Sequence, residues 1–277
     1  MNPLRSLAHR LPLPTSWYFP VEEGDVALAS FPRSGNTWVS HILTHLLLPD
    51  HENIDFNTTD RTVIDIHQAT LSAVRRSRQQ PPAVKVFKTH ECYNPRYERV
   101  VLLVRDPRSV AVSFFFFLQK MRHLPTDSSA AAFDSFFARF LAQPYRGFEA
   151  YGTWGAHTAS WLGGCANSPA AHIIVRYEDL LTDTATEIRR IADLANIPYT
   201  PATLERALHK GSFAEMRALE TRDTEKQPAA WGNVQIPFIR KGSPDDWRNY
   251  LTPDHEARLS AAFGSVMRAM NYDTVHS

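Results

Sequence analysis

At 277 residues, 43% hydrophobic and 11% aromatic, the chain can build a sizeable packed core, as one large α/β domain or two smaller ones. Its 30 Lys and Arg against 29 Asp and Glu leave a net charge of +1. That excludes a protein-wide field drawing it to nucleic acid or an anionic membrane, so any anion site must be local. Two cysteines, Cys92 and Cys165, are too few for a disulfide framework and fit a reducing compartment.

In chain order, residues 1–20 carry Arg5 and Arg10 but no apolar segment, and Pro3, Pro12, Pro14 and Pro20 interrupt them. They are expected to form an irregular lead-in, neither secretory signal nor anchor. No repeat or linker divides residues 21–277, which are expected to form one domain. A strand over 26–30 runs into a Gly-containing turn and a helix over 37–48. A helix over 62–75 precedes a second strand over 84–87. The third strand spans 100–104 and leads into a helix over 108–120, and the fourth spans 172–175 with a helix over 186–195 behind it. Strands alternating with helices predict a mostly parallel central sheet flanked by helices on both faces, with ligands beyond the strands' carboxyl ends.

Two stretches break this rhythm. Residues 121–165 hold Phe133, Phe136, Phe137, Phe140, Tyr145, Phe148, Tyr151, Trp154 and Trp161. They read equally well as a helix pair packed on the body or as the wall of an apolar pocket. Residues 220–246, with Pro228, Pro237 and Pro244, read as a loop or lid. The longest apolar run, 110–118, is too short to span a bilayer, and a soluble, cytoplasmic protein is expected.

The turn after the first strand is Phe31-Pro32-Arg33-Ser34-Gly35-Asn36-Thr37-Trp38. It aims backbone N–H groups and a helix N-terminus at one spot, with Arg33 adding a fixed charge, and so predicts a phosphate site. It lacks the GxxxxGK[ST] of the common nucleotide loop. The second strand ends in Lys88-Thr89-His90, a cation and a proton acceptor on the same sheet edge. The third ends at Arg105, with Ser113 about two turns along the following helix, and the two can close on one phosphate. Downstream, Phe238-Ile239-Arg240-Lys241-Gly242 offers an aromatic surface, two cations and a close-approach glycine, as a nucleotide requires. No cluster has metal-ligand spacing.

Taken together and in this order, these segments resemble the cytosolic sulfotransferase family. Residues 31–38 are similar to its phosphosulfate loop YPKSGTTW, and 88–90 to its KTH, whose His is the catalytic base. Residues 105–113 resemble its 3′-phosphate segment. Tyr177-Glu178-Asp179-Leu180 matches YEDL, Ser212-Phe213-Ala214-Glu215-Met216 the SFxxM near the adenine, and 240–247 RKGxxGDW. The likeness runs from about residue 20 to residue 273. It implies a P-loop-like fold, 3′-phosphoadenosine 5′-phosphosulfate (PAPS) as donor, 3′-phosphoadenosine 5′-phosphate (PAP) as product, no metal, and a small hydroxyl-bearing, partly apolar acceptor. On this likeness Arg33, Ser34, Gly35, Asn36, Thr37 and Trp38 meet the 5′ end. Arg105, Ser113, Arg240 and Lys241 hold the 3′-phosphate. Tyr177, Ser212, Phe213, Phe238, Ile239 and Gly242 complete the nucleotide site, with Trp38, Phe213 and Phe238 flanking the adenine.

The resemblance also implies that His90 takes the acceptor proton while Lys88 and Arg33 hold the sulfuryl and bridging oxygens. Four departures stand out. Arg33 replaces the family's Lys, so it can stabilise charge but not release a proton. Gly211 replaces a Thr, and Asp245 replaces a Gly. The family's dimer motif KxxxTVxxxE falls on residues 248–257 and keeps only Thr252, so an oligomer is possible but that dimer mode is in doubt. A P-loop kinase acting on a small molecule and a catalytically idle nucleotide-binding protein are the alternatives.

Overall fold

The computed structural model describes residues 19–67, 69–79, 82, 84–144 and 148–273. The expectation for the lead-in therefore falls, except for Phe19 and Pro20, outside the described residues, as does Tyr145. In chain order the elements are β1 (Val26–Ser30), α1 (Asn36–Leu47), α2 (Phe56–Thr62), β2 (Val63–Asp65), α3 (Leu71–Arg78), β3 (Val86–Thr89) and β4 (Arg99–Val104). There follow α4 (Pro107–Lys120), α5 (Ala130–Ala142), α6 (Trp154–Ala166), β5 (Ala171–Arg176), α7 (Tyr177–Thr182) and α8 (Thr184–Ala195). The last three are α9 (Pro201–Lys210), α10 (Phe213–Lys226) and α11 (Pro253–Ala269).

The five strands form one all-parallel sheet in the order β2-β3-β1-β4-β5. From β1 the chain crosses to edge strand β2, returns to β3 beside β1, and then moves to the other side through β4 and β5, so a crevice opens at the carboxyl end of β1. Both faces are covered, as an all-parallel sheet requires. Ala27 and Ala29 of β1 face a core shared with α4, α5, α6 and α11. Val26 and Leu28 face a second core with Val39, Ile42 and Leu43 of α1 and Ile188 and Ile191 of α8. Burying each such Leu or Ile contributes roughly 1.5–3 kcal/mol, and together they hold the strand ends rigid beneath the crevice.

The helix expected over 62–75 is not formed as such. The β-branched pair Val63-Ile64 instead pairs with Val86 and Phe87 as edge strand β2. The Asp65 side chain then accepts from His67 N–H (2.9 Å) in the turn that follows. Thr70 restarts the chain as a helix by capping Ala73 N–H (3.2 Å). The second expected strand runs two residues further on, as Val86–Thr89, because the ladder to β1 continues to Ala29↔Thr89. Lys88 and Thr89 thus lie within β3, and His90 is the first residue beyond it.

Residues 121–165 fold as the helix pair α5 and α6. Phe133, Phe136, Phe137, Phe140, Trp154 and Trp161 are buried in the core, and among the described residues Phe148 and Tyr151 are the aromatics of this stretch that face a cavity. The loop expected over 220–246 is helical through Lys226. Residues 232–245 are irregular and are flanked by the short helical turns Pro228–Trp231 and Asp246–Asn249. Where the dimer motif was aligned, Thr252 and Pro253 start α11 through a reciprocal Thr252–His255 cap.

Candidate active site

A cavity of about 880 Å³ opens above the carboxyl ends of β1, β3 and β4. Its floor begins where β1 turns into α1. Arg33 (φ 73°) and Gly35 (φ 100°) both adopt left-handed backbone, and no side chain caps α1. Residues of that hand aim successive N–H groups into a concave nest suited to an anion. Only glycine fits at position 35: a Cβ there would lie 2.8 Å from Tyr177 Cδ2. Tyr177 in turn lies beneath the Arg105 guanidinium (4.2 Å to the ring centroid) and edge-on to Trp38 (5.8 Å).

Asn36 braces the turn from below. Its amide donates to Leu28 O (3.2 Å) and Ser30 Oγ (3.0 Å) and accepts from Ser40 Oγ (3.1 Å). The Ser34 hydroxyl is buried beneath the loop and has no hydrogen-bond partner among the described residues. Thr37 and Trp38 line the cavity, and Trp38 Nε1 donates to Gly211 O (2.7 Å). A Cβ at Gly211 would come within 2.3 Å of Ile42 Cγ1. A Thr here, as the family resemblance implies, would therefore crowd Ile42. Ser212 caps α10 by accepting from Glu215 N–H (3.4 Å) and does not line the cavity, whereas Phe213 does.

Arg33 crosses the cavity. Its Nε donates to Ser113 Oγ (3.1 Å) and its terminal nitrogen to Phe238 O (3.0 Å). The guanidinium is stacked against Phe238 (4.3 Å) and Phe117 (5.0 Å). Burial, together with Arg105 and Arg240 nearby, brings its pKa down to about 10, and it remains a cation at neutral pH. Arg105 donates to Arg33 O (3.1 Å), tying β4 to the loop. Arg240 lies over Phe116 (4.8 Å) and pairs with Asp246, which also holds Lys241 at 2.7 Å. Gly242 (φ 64°) closes on Phe213, leaving 2.9 Å between its would-be Cβ and the ring. Ile239 completes this wall. One end of the cavity therefore carries four cations: Arg33, Arg105, Arg240 and Lys241.

The other end is built around His90. Its Nδ1 lies 2.8 Å from Ser30 O, so this nitrogen carries the proton and Nε2 keeps its lone pair. Burial lowers its pKa, and the Asp65 charge and the Ser30 bond only partly oppose this. Its backbone N–H donates to His67 Nε2 (3.0 Å), and the two rings stack 6.1 Å apart with Tyr151 edge-on to both. His67, pushed down to about 4 by burial, is a neutral spacer. Lys88 Nζ is held by Asp60 (2.8 Å) and lies 3.8 Å from Asp65. Phe117, Met121, Phe148, Tyr151 and Trp231 supply an apolar wall.

The structure thus gathers Lys88, His90, Arg33, Arg105, Ser113, Tyr177, Phe238 and residues 239–242 about one cavity, while Ser34 and Ser212 do not line it. Asp60, Asp65, His67, Lys120 and Glu220 were missed by sequence reasoning. Asp65 and His67 sat inside a supposed helix, and the other three lie in no motif. Among the described residues, no three His, Cys, Asp or Glu side chains converge in a metal-binding arrangement, and no helix is long and apolar enough to cross a membrane.

A parallel α/β sheet with an anion nest after β1 and three further cations gathered beside Arg33 suits a ligand that carries more than one negative group. Residues 23–271 match the model of the sulfotransferase domain, and the chain belongs to that family. It is 26% identical to mouse sulfotransferase 1B1 over 260 residues, covering 88% of this chain and 83% of the relative. It is also 26% identical to Arabidopsis thaliana cytosolic sulfotransferase 1, covering 87% and 78%. Among solved structures, mouse sulfotransferase SULT7A1 complexed with PAP superposes with a TM-score of 0.68 at 23% identity over 92% of this chain and 87% of that one. Retinol dehydratase in complex with androsterone and PAP gives 0.66 at 20% identity, over 94% and 84%.

Proposed function

We propose that this enzyme transfers a sulfuryl group from PAPS to the hydroxyl of a small, partly apolar acceptor. The observation that carries the reading is the division of the cavity: a cluster of four cations at one end, and His90 with its Nε2 lone pair beside an aromatic wall at the other. The PAP in the mouse sulfotransferase and retinol dehydratase structures supports the same donor, and the androsterone in the latter supports an acceptor of that polarity. The cytosolic Arabidopsis relative and the unpaired Cys92 and Cys165 support a cytoplasmic setting.

In this reading His90 Nε2 takes the acceptor's hydroxyl proton as the acceptor oxygen bonds to sulfur and the bond from sulfur to the 5′-phosphate oxygen breaks. The nest at 33–37 and the Arg33 cation receive the charge that grows on that leaving phosphate. Lys88, held by Asp60, stands at the edge of the sulfuryl position. Arg105, Ser113, Arg240 and Lys241 bind the 3′-phosphate, whose binding energy positions the donor. Trp38 and Phe213 flank the adenine. Two measurements test this. Transfer of label from radiolabelled PAPS across a panel of phenols, sterols and alkanols must give a sulfated product; an absence of transfer across the whole panel points to an idle nucleotide binder. Calorimetry must rank PAP well above ADP and AMP, whereas tightest binding of ADP would instead indicate a kinase.

A further inference from the structure

The segment 236–242 carries Phe238, Arg240 and Lys241 to the cavity, yet no helix or sheet sets its register. A chain without ladder bonds must satisfy its backbone groups elsewhere, and here side chains do so. Lys120 Nζ donates to Ile236 O (2.8 Å), Arg33 to Phe238 O (3.0 Å) and Arg217 to Ile239 O (2.8 Å). All three are cations, and each grips a carbonyl. One carboxylate takes the N–H groups: Glu220 Oε1 accepts from Phe238 N (2.5 Å) and Oε2 from Ile239 N (3.0 Å). The same carboxylate lies 3.2 Å from Arg217 and 3.8 Å from Lys120, so it also compensates two of the three cations. Glu220 is 5% exposed and Lys120 2% exposed, which makes this a buried network with every carboxylate oxygen committed.

We propose that Glu220 is a positioning residue for the donor's second phosphate: it fixes the register of 236–242 and thereby aims Arg240 and Lys241. This rests on the PAPS reading. Glu220 stands on α10, while the anion nest at 33–37 follows β1 and His90 follows β3. Its loss should therefore damage the grip on the 3′-phosphate more than the grip on the 5′ end or the chemical step. A glutamine keeps the shape but offers one acceptor oxygen to two N–H groups and removes the charge opposite Lys120.

The test is calorimetry of the full chain with PAP and with AMP, which lacks the 3′-phosphate, paired with steady-state kinetics. In Glu220→Gln the preference for PAP over AMP should narrow by about tenfold, while kcat at saturating PAPS stays within about threefold. Arg217→Ala, at a half-exposed position, should narrow it in the same direction by about threefold without loss of Tm. It also keeps the test alive should Glu220→Gln fail to fold. Equal weakening of PAP and AMP in either folded variant, or an unchanged ratio, overturns the proposal. A wild-type protein that binds AMP as tightly as PAP overturns the PAPS reading itself and removes the premise with it.

Discussion

The two ends of the cavity are made in different ways. At the cationic end, binding groups come in contiguous runs, residues 33–38 and 238–242, because backbone N–H groups and a helix start can be aimed only by consecutive residues in a particular backbone conformation. At the His90 end, the lining is collected from separate places: Asp60 from α2, Asp65 from β2, Phe117 from α4, and Phe148, Tyr151 and Trp231 from connecting segments. The first kind of site constrains sequence strongly and chemistry narrowly. The second kind leaves each lining side chain free to vary without moving the others.

If this division is real, single substitutions should separate the ends. The largest effect belongs to His90→Ala, which should lose about 10²–10⁴-fold in kcat while PAP affinity is retained. A variant still turning over within about threefold of wild type would show that another group takes the proton. Arg105→Ala is the converse. A charge-assisted contact is worth about 1.5–3 kcal/mol, or about 10- to 150-fold in PAP Kd, and the acceptor KM should barely move. Because Arg105 also holds Arg33 O, a parallel rise in acceptor KM would mean that loop and acceptor wall respond as one body.

This contrast also explains what the sequence could disclose. Gly35 was legible as a turn glycine, and its left-handed backbone against Tyr177 admits no other residue; Arg105 and Ser113 both line the cavity, but Ser113 Oγ meets Arg33 rather than Arg105. The sheet was legible from its branched aliphatic runs. Edge strand β2 was not: three residues are too few for a period to register, and the surrounding sequence suits a helix until the pairing to β3 intervenes. That one error hid Asp65 and His67, the groups that surround Lys88 and His90. Glu220 was invisible for a different reason. Its partners are backbone N–H groups eighteen and nineteen residues away, which no side-chain pattern records.

A smaller effect sharpens the cationic end. Gly211→Thr installs the residue that the family resemblance implies at this position, but its Cβ would meet Ile42 Cγ1 at 2.3 Å. Overpacking of this kind costs about 1–3 kcal/mol. Thermal unfolding should show the loss, and adding Ile42→Ala should recover part of it. A Gly211→Thr variant as stable as wild type, with tighter PAP binding, would show that the contact relaxes easily and that glycine here is incidental.

The smallest expected effect is the response to pH near neutrality, and it bears on His90 alone. Burial penalises the imidazolium, so the His90 pKa lies below the ordinary 6.5. In its proposed role as base, His90 works only when neutral. Activity therefore falls as pH drops through that lowered pKa and at 6.5 already stands above half its plateau. Between pH 6.5 and 8, kcat/KM for the acceptor should change by less than about twofold, with the acidic limb lying below that window. A limb centred at 7 or above would mean that a neighbouring anion outweighs burial. Asp65 is the group placed to do that, and Asp65→Asn would then have to move the limb downward.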